Sequence, residues 1–176
     1  MTATRARTAA SATPGRRRTG ARLAMLAVPA GMALAAAVIA AGPANALDGA
    51  GYTGPIFAYG GLCLDVQGAN TANFTPVQVY GCNSTDAQQW TLGTDYTIRA
   101  LGKCLDVQYG GTAAGTPVEL YDCNGTGSQV WLPQGDGSFR NPQSDKCLED
   151  TGSSASGGTQ AEIWECDGNS SELFTY

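Results

Sequence analysis

The chain is 176 residues long, has no His, and carries 10 cations against 15 acids. Without His there is no Ser-His-Asp triad, no Cys-His nucleophile pair, no imidazole metal ligand and no histidine pH switch. The charges are also segregated. From Leu47 onward 4 cations face all 15 acids, a net of −11, too few positive groups to neutralise many phosphates, so nucleic acid is not an expected partner.

The other six cations all lie before residue 25. Residues 1–22 are rich in Ala, Thr and Arg. Leu23 to Ala41 is an uncharged, Ala-rich run of 19 residues, and Ala44-Asn45-Ala46 is a small-x-small site. This order predicts a secretory signal peptide over 1–46, with the mature chain beginning at Leu47. A run of 19 residues is also just long enough for a membrane anchor. Its weak, mostly Ala hydrophobicity and the lack of a following stop-transfer charge favour cleavage. Arg17-Arg18 lacks the bulky apolar pair expected after a twin-arginine motif. Export places the body outside the cell, where an even number of cysteines in a small domain reads as disulfides.

The body, 47–176, has the length of one domain. Its six cysteines fall at 63, 82, 104, 123, 147 and 166, so the gap within each successive pair is 19 and the copies are 41 and then 43 residues apart. Equal gaps at a near-constant period are an internal repeat. Cys63–Trp90 overlays Cys104–Trp131 without a gap, with 16 of 28 positions identical. Cys147–Phe174 also overlays without a gap but matches the second copy at only 8 of 28, so the third copy is the divergent one. The repeats span about 52–92, 93–134 and 135–176. Six cysteines allow 15 pairings; the symmetry favours Cys63–Cys82, Cys104–Cys123 and Cys147–Cys166. Zinc is disfavoured, because there is no Cys-x-x-Cys pair and no His.

In chain order, each repeat offers about four short strands. One precedes the first Cys (Ile56–Tyr59, Tyr96–Ala100) and one runs through it (Cys63–Val66, Cys104–Val107). One precedes the second Cys (Val77–Tyr80, Val118–Tyr121, Ala161–Trp164), and one lies at a Gln-x-Trp end. Twelve short strands separated by Gly, Asn, Asp, Ser and Thr predict an all-β fold, a barrel or a sandwich. Three copies are too few for a long solenoid, and closure would remove exposed strand edges, which favours a pseudo-threefold barrel.

Cys-Leu-Asp-Val, then Val-Gln-Val-Tyr-x-Cys-Asn, then Gln-x-Trp, in tandem copies of about 42 residues, resembles the ricin B-chain-type lectins and their bacterial members, the family 13 carbohydrate-binding modules. The resemblance covers about 52–176. It implies a β-trefoil, with six barrel strands and six capping hairpin strands, and up to three sugar sites.

By that resemblance Asp65 and Asp106 accept hydrogen bonds from ring hydroxyls, and Tyr80 and Tyr121 stack on the apolar face of the sugar. Gln78 and Glu119 fall at an accessory polar position. Gln88 and Gln129 of Gln-x-Trp mainly support the loop beside the site, and Trp90 and Trp131 belong to the core. The chain departs from the family where an Asn often precedes the Gln-x-Trp Gln: Ala87, Ser128 and Ser171 stand there, and only the serines have a hydroxyl to donate. The third copy has Glu149 for Asp, Glu162, Glu172 for Gln and Phe174 for Trp; Trp164 keeps the stacking aromatic while Glu149 and Glu162 crowd the site.

The sequence therefore predicts a secreted, non-catalytic protein that binds galactoside- or xylan-type polysaccharide or glycan through several weak sites. It would be a monomer with no cofactor, no metal, and no membrane contact once the leader is removed. The alternative is an interaction β-trefoil, either a protease inhibitor or an accessory subunit of a secreted hydrolase. Catalysis is disfavoured because the best-placed acids recur as symmetric copies, whereas glycoside hydrolysis needs two carboxylates in different roles.

Overall fold

The computed structural model describes residues 49–151 and 156–176. The expected leader over 1–46 lies outside the described residues. Among those described there are eleven strands: β1 (Thr53–Gly54), β2 (Leu62–Val66), β3 (Thr75–Gly81), β4 (Trp90–Leu92), β5 (Ile98–Ala100), β6 (Lys103–Val107), β7 (Thr116–Tyr121), β8 (Leu132–Pro133), β9 (Phe139–Asn141), β10 (Lys146–Asp150) and β11 (Thr159–Trp164).

All pairings are antiparallel, and the threefold design is visible in the ladder. β3, β7 and β11 pair with one another in a closed ring: Thr75 opposes Leu120, Thr116 opposes Ile163, and Thr159 opposes Val79. The start of each strand thus meets the far half of another, and the ring has no free edge. Each ring strand also forms a hairpin with the strand before it, β2–β3, β6–β7 and β10–β11. This is the β-trefoil.

Two expected strands are reduced. Ile56–Tyr59 collapses to two isolated bridges at Phe57, one with Cys63 and one with Thr175. The end of the third copy is likewise only that bridge at Thr175. In the other two copies the equivalent hairpins, β4–β5 and β8–β9, close locally. In the first copy the partner comes from the far end of the chain. Pro55 before the bridge has no N–H, and Gly60 and Gly61 after it turn away at φ 70° and 76°. β1, which the sequence did not suggest, pairs instead with β4.

Strand alternation explains which residues are inside. In β2 Leu64 and Val66 enter the core, and in β3 Val77 and Val79 do; β6, β7, β10 and β11 repeat the pattern with Leu105, Leu120, Leu148 and Ile163. Trp90, Trp131 and Phe174 are fully buried among them. The indole N–H groups of Trp90 and Trp131 donate to the carbonyls of Leu64 and Leu105, at 2.8 and 3.1 Å. The two tryptophans are therefore core residues, as expected, and tie the end of each unit to its first Cys strand.

Candidate binding clefts

The residues left on the outer face of each hairpin are those the repeats hold in common. Ladder register puts Cys63 opposite Tyr80 and Asp65 opposite Gln78, Cys104 opposite Tyr121 and Asp106 opposite Glu119, Cys147 opposite Trp164 and Glu149 opposite Glu162. Because side chains alternate with period two, each Cys and the acid two residues on share one face, with their cross-strand partners beside them. Disulfides Cys63–Cys82, Cys104–Cys123 and Cys147–Cys166 close the pairs the symmetry favoured.

In the first copy, Asp65, Gln78, Tyr80 and Ala87 line a cleft of about 530 Å³ together with Asn83, Thr85 and Gly158. Tyr80 is 46% exposed, whereas Asp65 is 4% exposed. Its two carboxylate oxygens accept from Gln78 Nε2 at 2.9 Å and from Gln88 Nε2 at 3.0 Å. Gln88 does not line the cleft. It is buried behind the acid, donates also to the Gly81 carbonyl, and accepts the Asn83 backbone N–H at 2.8 Å. It thus bridges Asp65 and the loop after the disulfide.

In the second copy, Asp106, Glu119, Tyr121 and Ser128 line a cleft of about 340 Å³ with Phe74, Tyr109, Asn124 and Gln143. Asp106 Oδ2 accepts from Gln129 Nε2 at 2.7 Å and Ser128 Oγ at 3.2 Å, while among the described residues no donor is bound to Oδ1. Gln129 repeats the part of Gln88, donating to the Asp122 carbonyl and accepting from Asn124 N–H. Glu119 Oε2 accepts from Gln108 Nε2 at 2.8 Å. Burial holds the Asp106 carboxyl above the usual aspartate range, and the bonds from Gln129 and Ser128 oppose that. Burial, then Gln108 in opposition, and the neighbouring Asp106 charge set Glu119 high as well.

In the third copy, Trp164 is 40% exposed, and a Cβ placed on Gly115 would lie 3.6 Å from its ring and 3.9 Å from Glu162. Glu149 Oε1 accepts from Ser171 Oγ at 2.9 Å; Glu149 Oε2 is buried, without a hydrogen-bond partner among the described residues. Glu172, at the Gln-x-Trp position, uses its oxygens on the backbone N–H groups of Asp167 and Gly168. Burial, then the charge on Glu149, raises Glu162 above the usual glutamate range. Among the described residues no group of three or more His, Cys, Asp or Glu is placed to hold a metal ion.

Phe74, Tyr109, Asn124, Thr126 and Gln143 were not among the site residues expected from the sequence. Asn124 and Thr126 were legible as parts of a repeated Asn-x-Thr after the second Cys (Asn83-Ser-Thr85, Asn124-Gly-Thr126). Phe74 and Gln143 come from the first and third copies, and only the folded ring brings them to the second.

The family model of the ricin-type β-trefoil lectin domain matches residues 52–174. A glucan endo-1,3-β-glucosidase of Cellulosimicrobium cellulans is 55% identical over 42 residues, which is 24% of this chain and 8% of that protein. The agglutinin of Abrus precatorius superposes with a TM-score of 0.66 at 30% identity, over 72% of this chain and 48% of that one. A non-toxic type II ribosome-inactivating protein homologue from Momordica charantia, solved with α-methyl-D-galactoside, superposes with a TM-score of 0.65 at 28% identity, covering 74% and 49%. The chain therefore spans under a tenth of the curated relative's length and about half of each of these solved chains.

Proposed function

Because the chain belongs to the ricin-type β-trefoil lectin family, we propose that it is an extracellular carbohydrate-binding protein. It holds a neutral polysaccharide of galactoside or xylan type at the two clefts, with a third, weaker seat at Trp164. In this reading Asp65 and Asp106 accept from vicinal hydroxyls, Tyr80 and Tyr121 pack against the C–H face of the ring, and Gln78 and Glu119 reach the rim. Gln88, Gln129 and Ser128 act through the acids they orient.

The observation that supports this reading best is the setting of Asp106. A buried carboxylate whose Oδ2 is held by Gln129 and Ser128 lines the same cleft as Tyr121. A carboxylate bonded to ligand hydroxyls in a shielded site contributes about 1.5–3 kcal/mol per bond. The galactoside in the Momordica charantia complex and the glucan named for the C. cellulans relative favour a sugar of this class. Three disulfides favour an oxidising compartment, and with it export and removal of residues 1–46.

The protein itself is read as non-catalytic. Asp106 and Glu119 are cross-strand neighbours on one wall, whereas glycosidase carboxylates flank the scissile bond.

Retention of the secreted protein on insoluble xylan, β-1,3-galactan and β-1,3-glucan tests the assignment. The variant D65A/D106A is expected to lose retention while keeping its near-ultraviolet spectrum and all three disulfides. Undiminished retention overturns the site assignment, and release of reducing sugar from any of the polymers overturns the non-catalytic reading.

A further inference from the structure

The second cleft differs from the other two in a way that sugar binding by one ring does not require. Phe74, Gly115 and Gly158 are equivalent, each being the residue just before a ring strand. Each donates its N–H into that ring, to the carbonyls of Leu120, Ile163 and Val79, and each has a left-handed φ of 68°, 82° or 93°. Gly68, Tyr109 and Gly152 are likewise equivalent in the gapless overlay, with φ of 63° at Gly68 and 54° at Tyr109. At both positions two copies carry Gly and one carries an aromatic. Both aromatics fall at the second cleft.

A non-Gly residue in the left-handed region is strained by roughly 1–2 kcal/mol. Tyr109, 83% exposed, does not recover this by burial, and Phe74, 47% exposed, leaves about half of its ring in solvent. They extend the wall that begins at Tyr121. The Phe74 ring lies 5.1 Å from that of Tyr121, edge-on, and 5.6 Å from that of Tyr109. Each step is comparable with the spacing of successive rings in a β-linked polysaccharide. From the third copy Gln143 donates to the Gly110 carbonyl at 3.0 Å and closes the far end with a polar group.

We propose that Tyr109 and Phe74 form a second stacking platform, which makes the second cleft a seat for at least two consecutive sugar units of one chain. This rests on the reading of Asp106 and Tyr121 as the first seat. Strained aromatics held in solvent beside a binding residue are the pattern expected when a ligand, not the core, covers them. The first cleft, with Gly68 and Gly158 at the same two positions, takes one unit.

The test uses the full secreted chain carrying Y80A and W164A, two exposed positions, so that only the second cleft reports. Calorimetric titration compares mono-, di- and trisaccharides of the xylose, β-1,3-galactose and β-1,3-glucose series. The expected result is a disaccharide bound about tenfold more tightly than the monosaccharide in one series. Y109G and F74G should abolish that gain, and Y109F should preserve it.

The Gly variants restore the residue the other copies carry, so their thermal midpoints should be equal or higher. A lower midpoint for both would show that the rings are there to pack, and would overturn the platform. A disaccharide bound no better than the monosaccharide overturns it too, leaving the Asp106–Tyr121 seat intact. Absence of binding in all three series overturns that seat, and the platform with it.

Discussion

The three copies differ most in how many carboxyl groups occupy the same three positions. The first has one (Asp65, with Gln78 and Gln88), the second two (Asp106 and Glu119, with Gln129), and the third three (Glu149, Glu162 and Glu172). In the first two copies the Gln of Gln-x-Trp donates to the acid and accepts from the loop. Glu172 keeps the second task and, when ionised, cannot perform the first, which is why Glu149 Oε2 has no partner among the described residues. The variant E172Q should supply the missing N–H and gain about 1–2 kcal/mol at pH 7 by urea unfolding.

The gain depends on pH in a fixed direction. Burial first, then the charges on Asp167 and Glu149, outweigh the backbone bonds and hold the Glu172 carboxyl above the usual range. A raised acid contributes its stability below the ordinary glutamate range and loses it as pH rises through the higher folded value. The Gln variant should therefore lead at neutral pH and lose its lead below the ordinary glutamate range. A lead that stays constant with pH would exclude the electrostatic origin. Other residues were readable from type alone. Asn83 and Asn124 resemble glycosylation sequons, but each side-chain oxygen accepts both the N–H and the hydroxyl of the Thr two residues on, so the recurrent Asn-x-Thr is turn chemistry.

At the level of the strand pair, the disulfide and the proposed binding residues are parts of one device. Cys104 faces Tyr121 across the ladder, and its bond to Cys123 fixes the start of the loop that carries Asn124 and Thr126 into the second cleft. In the chain-entropy account a crosslink over 19 residues is worth about 3 kcal/mol. C104A/C123A should lose about that much in denaturant unfolding and also weaken sugar binding at the second cleft. A loss confined to stability would show that the loop needs no anchor. This level was the most legible in the sequence, because a ladder of period two fixes which residues share a face once the hairpin register is known. The equal gaps of 19 supplied that register. The short strands at the chain ends were not legible, since Phe57 and Thr175 pair over almost the whole length of the domain and no local pattern marks a partner so remote.

Over the whole molecule, all four cations of the body are engaged in ion pairs: Arg99 with Asp95, Lys103 with Asp122, Arg140 with Asp145 and Lys146 with Glu165. The surface is otherwise acidic, which favours a neutral polysaccharide over an anionic one. Seats related by the threefold ring face different directions, so one polymer chain or a polymer surface can engage more than one. Monosaccharide affinity is expected in the millimolar range, with polymer retention at least about a hundredfold stronger. Removing one aromatic by Y80A should weaken monosaccharide binding only at its own cleft, whereas Y80A/Y121A should drop polymer retention by far more than the sum of the two single losses. Strictly additive losses would mean that the seats act independently.

The sequence by itself determined the repeat, and its symmetry favoured the disulfides within each copy; the core role of the tryptophans and the pairing of each acid with its aromatic were implied by the family resemblance that the motifs carry. Only the tertiary structure decided which residues of the other copies join each cleft. Phe74 precedes β3 yet belongs to the cleft of β7, because the closed ring pairs the start of one strand with the end of another copy's. Gln143 reaches the same cleft from the third copy. Contacts between repeats are set by ring closure, a long-range arrangement that alternation and spacing within a single repeat do not encode.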